Sequence, residues 1–156
     1  MIRYATIEDY NFIFPLILKE AANGNFARNI LIPEATRGLE LEIKSVLSDR
    51  RRPNGCYAYI LIWERMGESI GFLAISALDG DNGNELWLAA ISPLHRERGE
   101  GTRMINMVLP QFKLQGAGLM ARCAPEAKAM FHILTSSGFV LDVTLEKGTR
   151  QLVTRW

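Results

Sequence analysis

Cysteine, net charge and long apolar runs are all scarce in this chain, and each scarcity excludes a class of protein. There are two cysteines in 156 residues, Cys56 and Cys123, both within strand-like apolar stretches. That placement predicts buried free thiols and a reducing compartment, not a disulfide framework. A formal net charge of +1 excludes the electrostatic footprint of a nucleic-acid binder and any acidic solvating tail. The most apolar run, Phe12 to Leu18, falls far short of the roughly 20 residues needed to cross a bilayer. Met1-Ile2-Arg3-Tyr4 carries no signal-peptide pattern. The expectation is a cytoplasmic protein with no membrane or nucleic-acid partner. Repeats, linkers and low-complexity segments are missing as well, so residues 1–156 are expected to form one domain, long enough to bury roughly two thirds of its unfolded surface.

Metal ligands are also thin. Asp79-Gly80-Asp81-Asn82-Gly83 begins like a calcium loop, but Gly83 stands where a ligand is required and Ala90 occupies the closing Glu position. A polar hairpin turn is the better reading, and no metal is expected.

What is present is a regular alternation of elements. Ile2 to Ala5 predicts a short strand, and Thr6-Ile7-Glu8-Asp9 a capping signal for a helix running to about Ala22. Pro15 should kink or split that helix. Asn23 to Pro33 is loop-like, and Pro33 fronts a second helix with an apolar side through Leu39, Leu41, Ile43, Val46 and Leu47. Arg50-Arg51-Arg52 with Pro53-Asn54-Gly55 predicts a solvated turn. Cys56 to Trp63, Ile70 to Leu78 and Glu85 to Ser92 predict three strands of an antiparallel meander. A helix follows from about Thr102, with Met104, Ile105, Val108 and Phe112 on one face and Pro110 kinking or ending it. Leu119 to Cys123 is a short buried strand. Pro125-Glu126 opens a fourth helix whose stripe is Ala127, Met130, Phe131 and Leu134, stopped by Gly138. Phe139 to Leu145 and Gln151 to Trp156 are closing strands, exposed enough at the edge to support a homodimer by strand pairing. The order β-α-α-β-β-β-α-β-α-β-β predicts an α/β (α+β) domain with a mixed, mostly antiparallel central sheet flanked by about four helices.

The chemistry concentrates between the third meander strand and the third helix, in Pro93-Leu94-His95-Arg96-Glu97-Arg98-Gly99-Glu100-Gly101-Thr102. A helix start carries orphan N–H donors and partial positive charge, so it suits an anion. Gly99 and Gly101 let backbone approach a phosphate closely, and Arg96 and Arg98 add cationic donors. Three Gly-rich patterns compete here. A nucleotide P-loop needs Lys before the Ser/Thr, and Gly101 is followed directly by Thr102. A dinucleotide fingerprint needs Gly at 104, where Met stands, and a parallel unit in place of a meander. The third, Arg/Gln-x-x-Gly-x-Gly/Ala, is matched by Arg96-Glu97-Arg98-Gly99-Glu100-Gly101.

On those residues the chain resembles the GNAT superfamily of N-acetyltransferases. Ile91, Pro93, Arg96, Gly99 and Gly101 fill the superfamily's apolar-x-Pro-x-x-Arg-x-x-Gly-x-Gly pattern, and Ser137-Gly138-Phe139 resembles its second landmark, a helix closing on Gly-Phe. The resemblance implies a fold of that type and acetyl-CoA as co-substrate, with acetyl transfer to a primary amine of a small molecule or protein. Its pyrophosphate would lie on the amides of Arg98, Gly99, Glu100 and Gly101, beside Thr102. Its pantetheine arm would pair with Ala89, Ala90 and Ile91. Glu85, at the start of that strand, takes the place of the general base in lysine acetyltransferases of this superfamily. Two departures stand out: Glu100 puts a carboxylate inside the cradle, and Leu134 replaces a frequent Tyr that protonates the leaving thiolate. They motivate a second expectation, a CoA-binding regulatory or partner-binding module without catalysis.

Overall fold

The computed structural model describes residues 1–79 and 83–156, so the hairpin turn expected at Asp79 to Asn84 lies partly outside the described residues. One sheet of seven strands runs through the molecule in the order β1-β2-β3-β4-β5-β7-β6. The strands are β1 (Ile2–Tyr4), β2 (Ala58–Arg65), β3 (Glu68–Ala77), β4 (Asn84–Ile91), β5 (Leu119–Cys123), β6 (Phe139–Thr144) and β7 (Arg150–Thr154). The helices are α1 (Tyr10–Ala22), α2 (Pro33–Asp49), α3 (Glu100–Leu114) and α4 (Lys128–Ser136). Every neighbour pair is antiparallel except β4 with β5.

Two apolar layers sandwich the sheet. On one face α1 and α2 bring Ile13, Ile17, Ile43 and Val46 onto Ile60, Ile62, Phe72 and Leu88. On the other, α3 and α4 bring Met104, Ile105, Val108 and Leu134 onto Leu73, Leu86, Ala89 and Ile91. Burial on both faces explains why β3 is apolar at nearly every position instead of alternating.

Both helices with internal prolines continue through them, α1 past Pro15 and α3 past Pro110, so neither proline splits or ends its helix. The carbonyls that lose a donor belong to Asn11 and Asn106, and these residues and both prolines are exposed. Water can take the missing bond. The fourth helix begins at Lys128, not at Pro125-Glu126, because Ala127 still bonds back to the Ala124 carbonyl in a turn. Cys56 is not a strand residue. It precedes β2, is only half-buried, and its thiol lies 3.1 Å from Asp79 Oδ1. Cys123 is buried as expected. The arginine turn is exposed at Arg50 and Arg51, as expected, and half-buried at Arg52. Arg50 stacks on Tyr4, Arg52 stacks on Trp87 while bonding Glu42, and Arg51 donates to the Gly55 carbonyl. At the far side of the sheet β6, not β7, is the edge strand, with Val140, Leu141 and Val143 exposed.

Candidate active site

The site begins with a defect in β4. Ala74 of β3 faces Leu88, but the next residue, Ile75, faces Leu86, leaving Trp87 as an extra residue. This bulge reverses the alternation of side chains along β4. Leu86 and Ala89 both pack under α3 and α4, while Leu88 and Ala90 face α1 and α2. Glu85 follows the first half of the strand. Its register partner is Ser76, whose hydroxyl accepts from Arg52, an arginine that also bonds Glu42 of α2. Glu85 is therefore on the α2 side of the sheet.

At the same point β4 leaves β5. Their parallel ladder covers only Asn84 with Leu119, Glu85 with Met120 and Leu86 with Ala121. Beyond it β5 stays with β7 and β4 stays with β3. A cavity of about 420 Å³ opens between the parting strands. Its walls are Trp87 to Ile91 on one side, Ala121 to Cys123 on the other, and Met130, Ile133 and Leu134 of α4. The β4 edge that lost its partner turns backbone groups into this gap, since N–H and C=O groups alternate between the two edges of a strand.

At the far end of β4 the chain passes through Arg96 to Gly99 into α3. Gly99 caps the helix with φ 76°, a left-handed conformation that a side chain disfavours. The first intrahelical bond runs from Arg103 N–H to the Gly99 carbonyl at 3.0 Å, so the amides of Glu100, Gly101 and Thr102 precede it as orphan donors, in residues that line the cavity. At Gly101 a Cβ would lie 2.8 Å from Ile133 Cδ1 of α4, so the end of that side chain would have to swing aside to admit one.

Among the residues singled out from sequence, Ala89, Ala90, Ile91, Arg96, Gly99, Glu100, Gly101 and Thr102 line this cavity. Arg98 and Glu85 do not. Glu100 lies at the helix start, yet its carboxylate is bound at Oε2 by Trp63 Nε1 at 2.6 Å and Arg65 Nε at 2.9 Å, and at Oε1 by Arg103 Nη1 at 2.6 Å. The Arg65 hydrogen bonds, helped by Trp63 and Arg103, hold its pKa down at about 2. The positive charge beside Glu100 comes from Arg65 and Arg103. Arg96 is occupied elsewhere, donating to the Ile91 carbonyl at 2.9 Å and pairing with Glu20 of α1. It braces the motif loop against α1.

Glu85 has 4% of its side chain exposed, and its Oε1 accepts from Arg122 Nε at 3.1 Å and Nη2 at 2.9 Å. Arg122 lines the cavity with half of its side chain open, so it stands between Glu85 and the cleft. Sequence reasoning passed over Arg122, Glu20 and Trp87. A charged residue in a five-residue buried strand was a usable signal for Arg122, and an acid in the apolar run of α1 was one for Glu20. Leu134 is a buried part of the wall and has no proton to give. Cys123 also lines the wall, and burial pushes its thiol up to about 11, leaving it protonated near neutrality. His132 is exposed at the cleft, and His95 Nε2 lies 3.8 Å from Glu68. Among the described residues no cluster of three or more His, Cys, Asp or Glu side chains could hold a metal ion.

A sheet that parts beside a bulge, with a glycine-capped helix start at the mouth, is the geometry of an acyltransferase cleft. The acetyltransferase (GNAT) family model matches residues 25–139, and the chain belongs to that family. Its fold is similar to that of the PaiA N-acetyltransferase of Thermoplasma acidophilum in complex with coenzyme A, with TM-score 0.73, 16% identity, and coverage of 100% of this chain and 98% of that one. It is also similar to an N-acetyltransferase of Staphylococcus aureus Mu50 (TM-score 0.72, 16% identity, 99% and 100% covered) and to the ribosomal-protein-alanine N-acetyltransferase of Brucella melitensis (TM-score 0.71, 16% identity, 100% and 99% covered). Identities at this level establish the fold. No curated protein matches the chain in sequence. No described helix is long and apolar enough to cross a membrane.

Proposed function

We propose that the protein transfers an acetyl group from acetyl-CoA directly to a primary amine. The observation that carries this reading is the cleft itself: parted strands lead from the α3 amides at one end to Glu85 and Arg122 at the other. The pyrophosphate sits on the N–H groups of Gly99, Glu100, Gly101 and Thr102, where helix polarity favours an anion. With Glu100 turned onto Trp63 and Arg65, its carboxylate does not oppose the phosphates. The pantetheine arm lies along Ala89 to Ile91, hydrogen-bonding the edge that β5 has left, and the small side chains at 89 and 90 permit close approach.

The thioester then lies near the bulge, where unpaired β4 amides can stabilise a developing oxyanion. The amine nitrogen attacks the thioester carbonyl carbon, the C–S bond breaks, and the ammonium proton passes through water to Glu85. Cys123 is the candidate donor for the departing thiolate, since it lines the cleft where Ser136 and Ser137 do not, and Leu134 cannot serve. A thiol pushed up to about 11 is a weak acid, so its contribution is small.

The test is thermal. Acetyl-CoA at millimolar concentration should raise the melting temperature, and Gly99→Asp or Gly101→Asp should remove that rise; a wild-type protein that shows no shift overturns the reading. The Glu85–Arg122 pair and Leu134 favour a second reading, a CoA-binding module without catalysis. Stabilisation by acetyl-CoA with no thiol release on any amine would select it.

A further inference from the structure

The acids around the cleft differ in one respect from what a polyamine-binding site needs: they are already neutralised. Glu20 takes Arg96 and the amide of Asn25. Glu100 takes Trp63, Arg65 and Arg103. Glu85 takes Arg122. The remaining lining acid, Glu97, is on the loop before α3, beyond the far end of β4 from Arg122. At the acceptor end of the cleft, no described carboxylate is left to draw in a cation.

Arg122 is in the opposite position. Of the two arginines that line the cleft, it is the more open, with 51% of its side chain exposed against 33% for Arg96. It spends Nε and Nη2 on a single oxygen of Glu85, and among the described residues its Nη1 has no partner. A guanidinium has five donors in a planar fork that suits carboxylates. One edge is used, and the residue lines the cleft with donors to spare.

We propose, on the basis of the transferase reading above, that Arg122 determines specificity and that the acceptor is an amino acid, its carboxylate held on the open edge of Arg122. This docks the amine against the guanidinium that pairs with Glu85, leaving water to carry the proton between them. An acceptor lacking the carboxylate gains no anchor.

The experiment pairs each of a set of amino acids with its decarboxylated amine, such as phenylalanine with phenethylamine and lysine with cadaverine. Binding is measured by calorimetry on protein saturated with CoA, and turnover by thiol release from acetyl-CoA. At least one amino acid should bind and exceed its amine in kcat/KM by about tenfold or more, as expected for a charge-assisted contact. Arg122→Gln should bring that ratio close to one, and Arg122→Lys, which keeps the cation, should retain part of it. Glu85→Gln should keep amino-acid binding while losing turnover. A preference for the amines, a ratio that survives Arg122→Gln, or no amino acid bound by the wild type overturns the proposal. Amino-acid binding that depends on Arg122 without thiol release from any acceptor keeps the anchor and overturns the transferase reading.

Discussion

Glu100 and Glu85 are both buried acids beside the same cleft, and their surroundings give them opposite uses. Glu100 is gripped on both oxygens by three side chains from β2 and α3, none of which lines the cavity. Glu85 is held on one oxygen by one arginine that is itself half in the open. A carboxylate enclosed by several donors is fixed in charge and place. One held by a single half-open partner has fewer contacts to fix its place. The difference marks Glu100 as a structural acid and leaves Glu85 as the proposed base.

That contrast can be broken experimentally. The largest effect is expected at Glu85: Glu85→Gln should lower kcat/KM by about 100-fold, within the range for loss of a general base, while the acetyl-CoA thermal shift stays unchanged. Glu100→Ala should do the reverse. It leaves the Trp63 N–H and the Arg65 guanidinium without their acceptor and should cost about 2–3 kcal/mol of stability, read as a lower urea midpoint. The same residue sets a pH dependence. Its carboxyl is held at about 2 against an ordinary value of 4.5, so its contribution is present above the ordinary value and is lost as pH falls through about 2. The difference in urea midpoint between wild type and Glu100→Gln should shrink over that window and stay constant from pH 5 to 7. The smallest effect should come from Cys123→Ala, with kcat reduced by less than about tenfold. A larger loss would make the thiol, not Glu85, the more important proton-transfer group.

The architecture was legible because its signals are local. The α2 start at Pro33, the limits of β5 and the stop at Gly138 follow from residue type and period. The motif loop was legible too, because backbone chemistry at a helix start leaves glycines in the sequence. The acceptor end was not. With simple alternation, Glu85, six residues before Ile91, would share its face and point under α3. The Trp87 bulge sends it to the α2 side, and no residue at 87 announces a bulge, since tryptophan is a favoured strand residue. The pairings Glu85–Arg122, Glu20–Arg96 and Glu100–Arg65 join positions 35 to 76 residues apart, beyond the reach of any local pattern. Pro15 and Pro110 misled for a related reason: whether a proline interrupts a helix depends on what its orphaned carbonyl meets.

The contact between Gly101 and Ile133 has a hereditary consequence. A Cβ at 101 would meet only the terminal methyl of Ile133, a half-buried side chain on the cavity wall that can turn aside. Packing alone therefore does not hold the glycine, and Gly101→Ala should change the urea midpoint little. A lineage that lost its cofactor would be free to replace it, so a glycine retained at 101 testifies first to what rests on its amide.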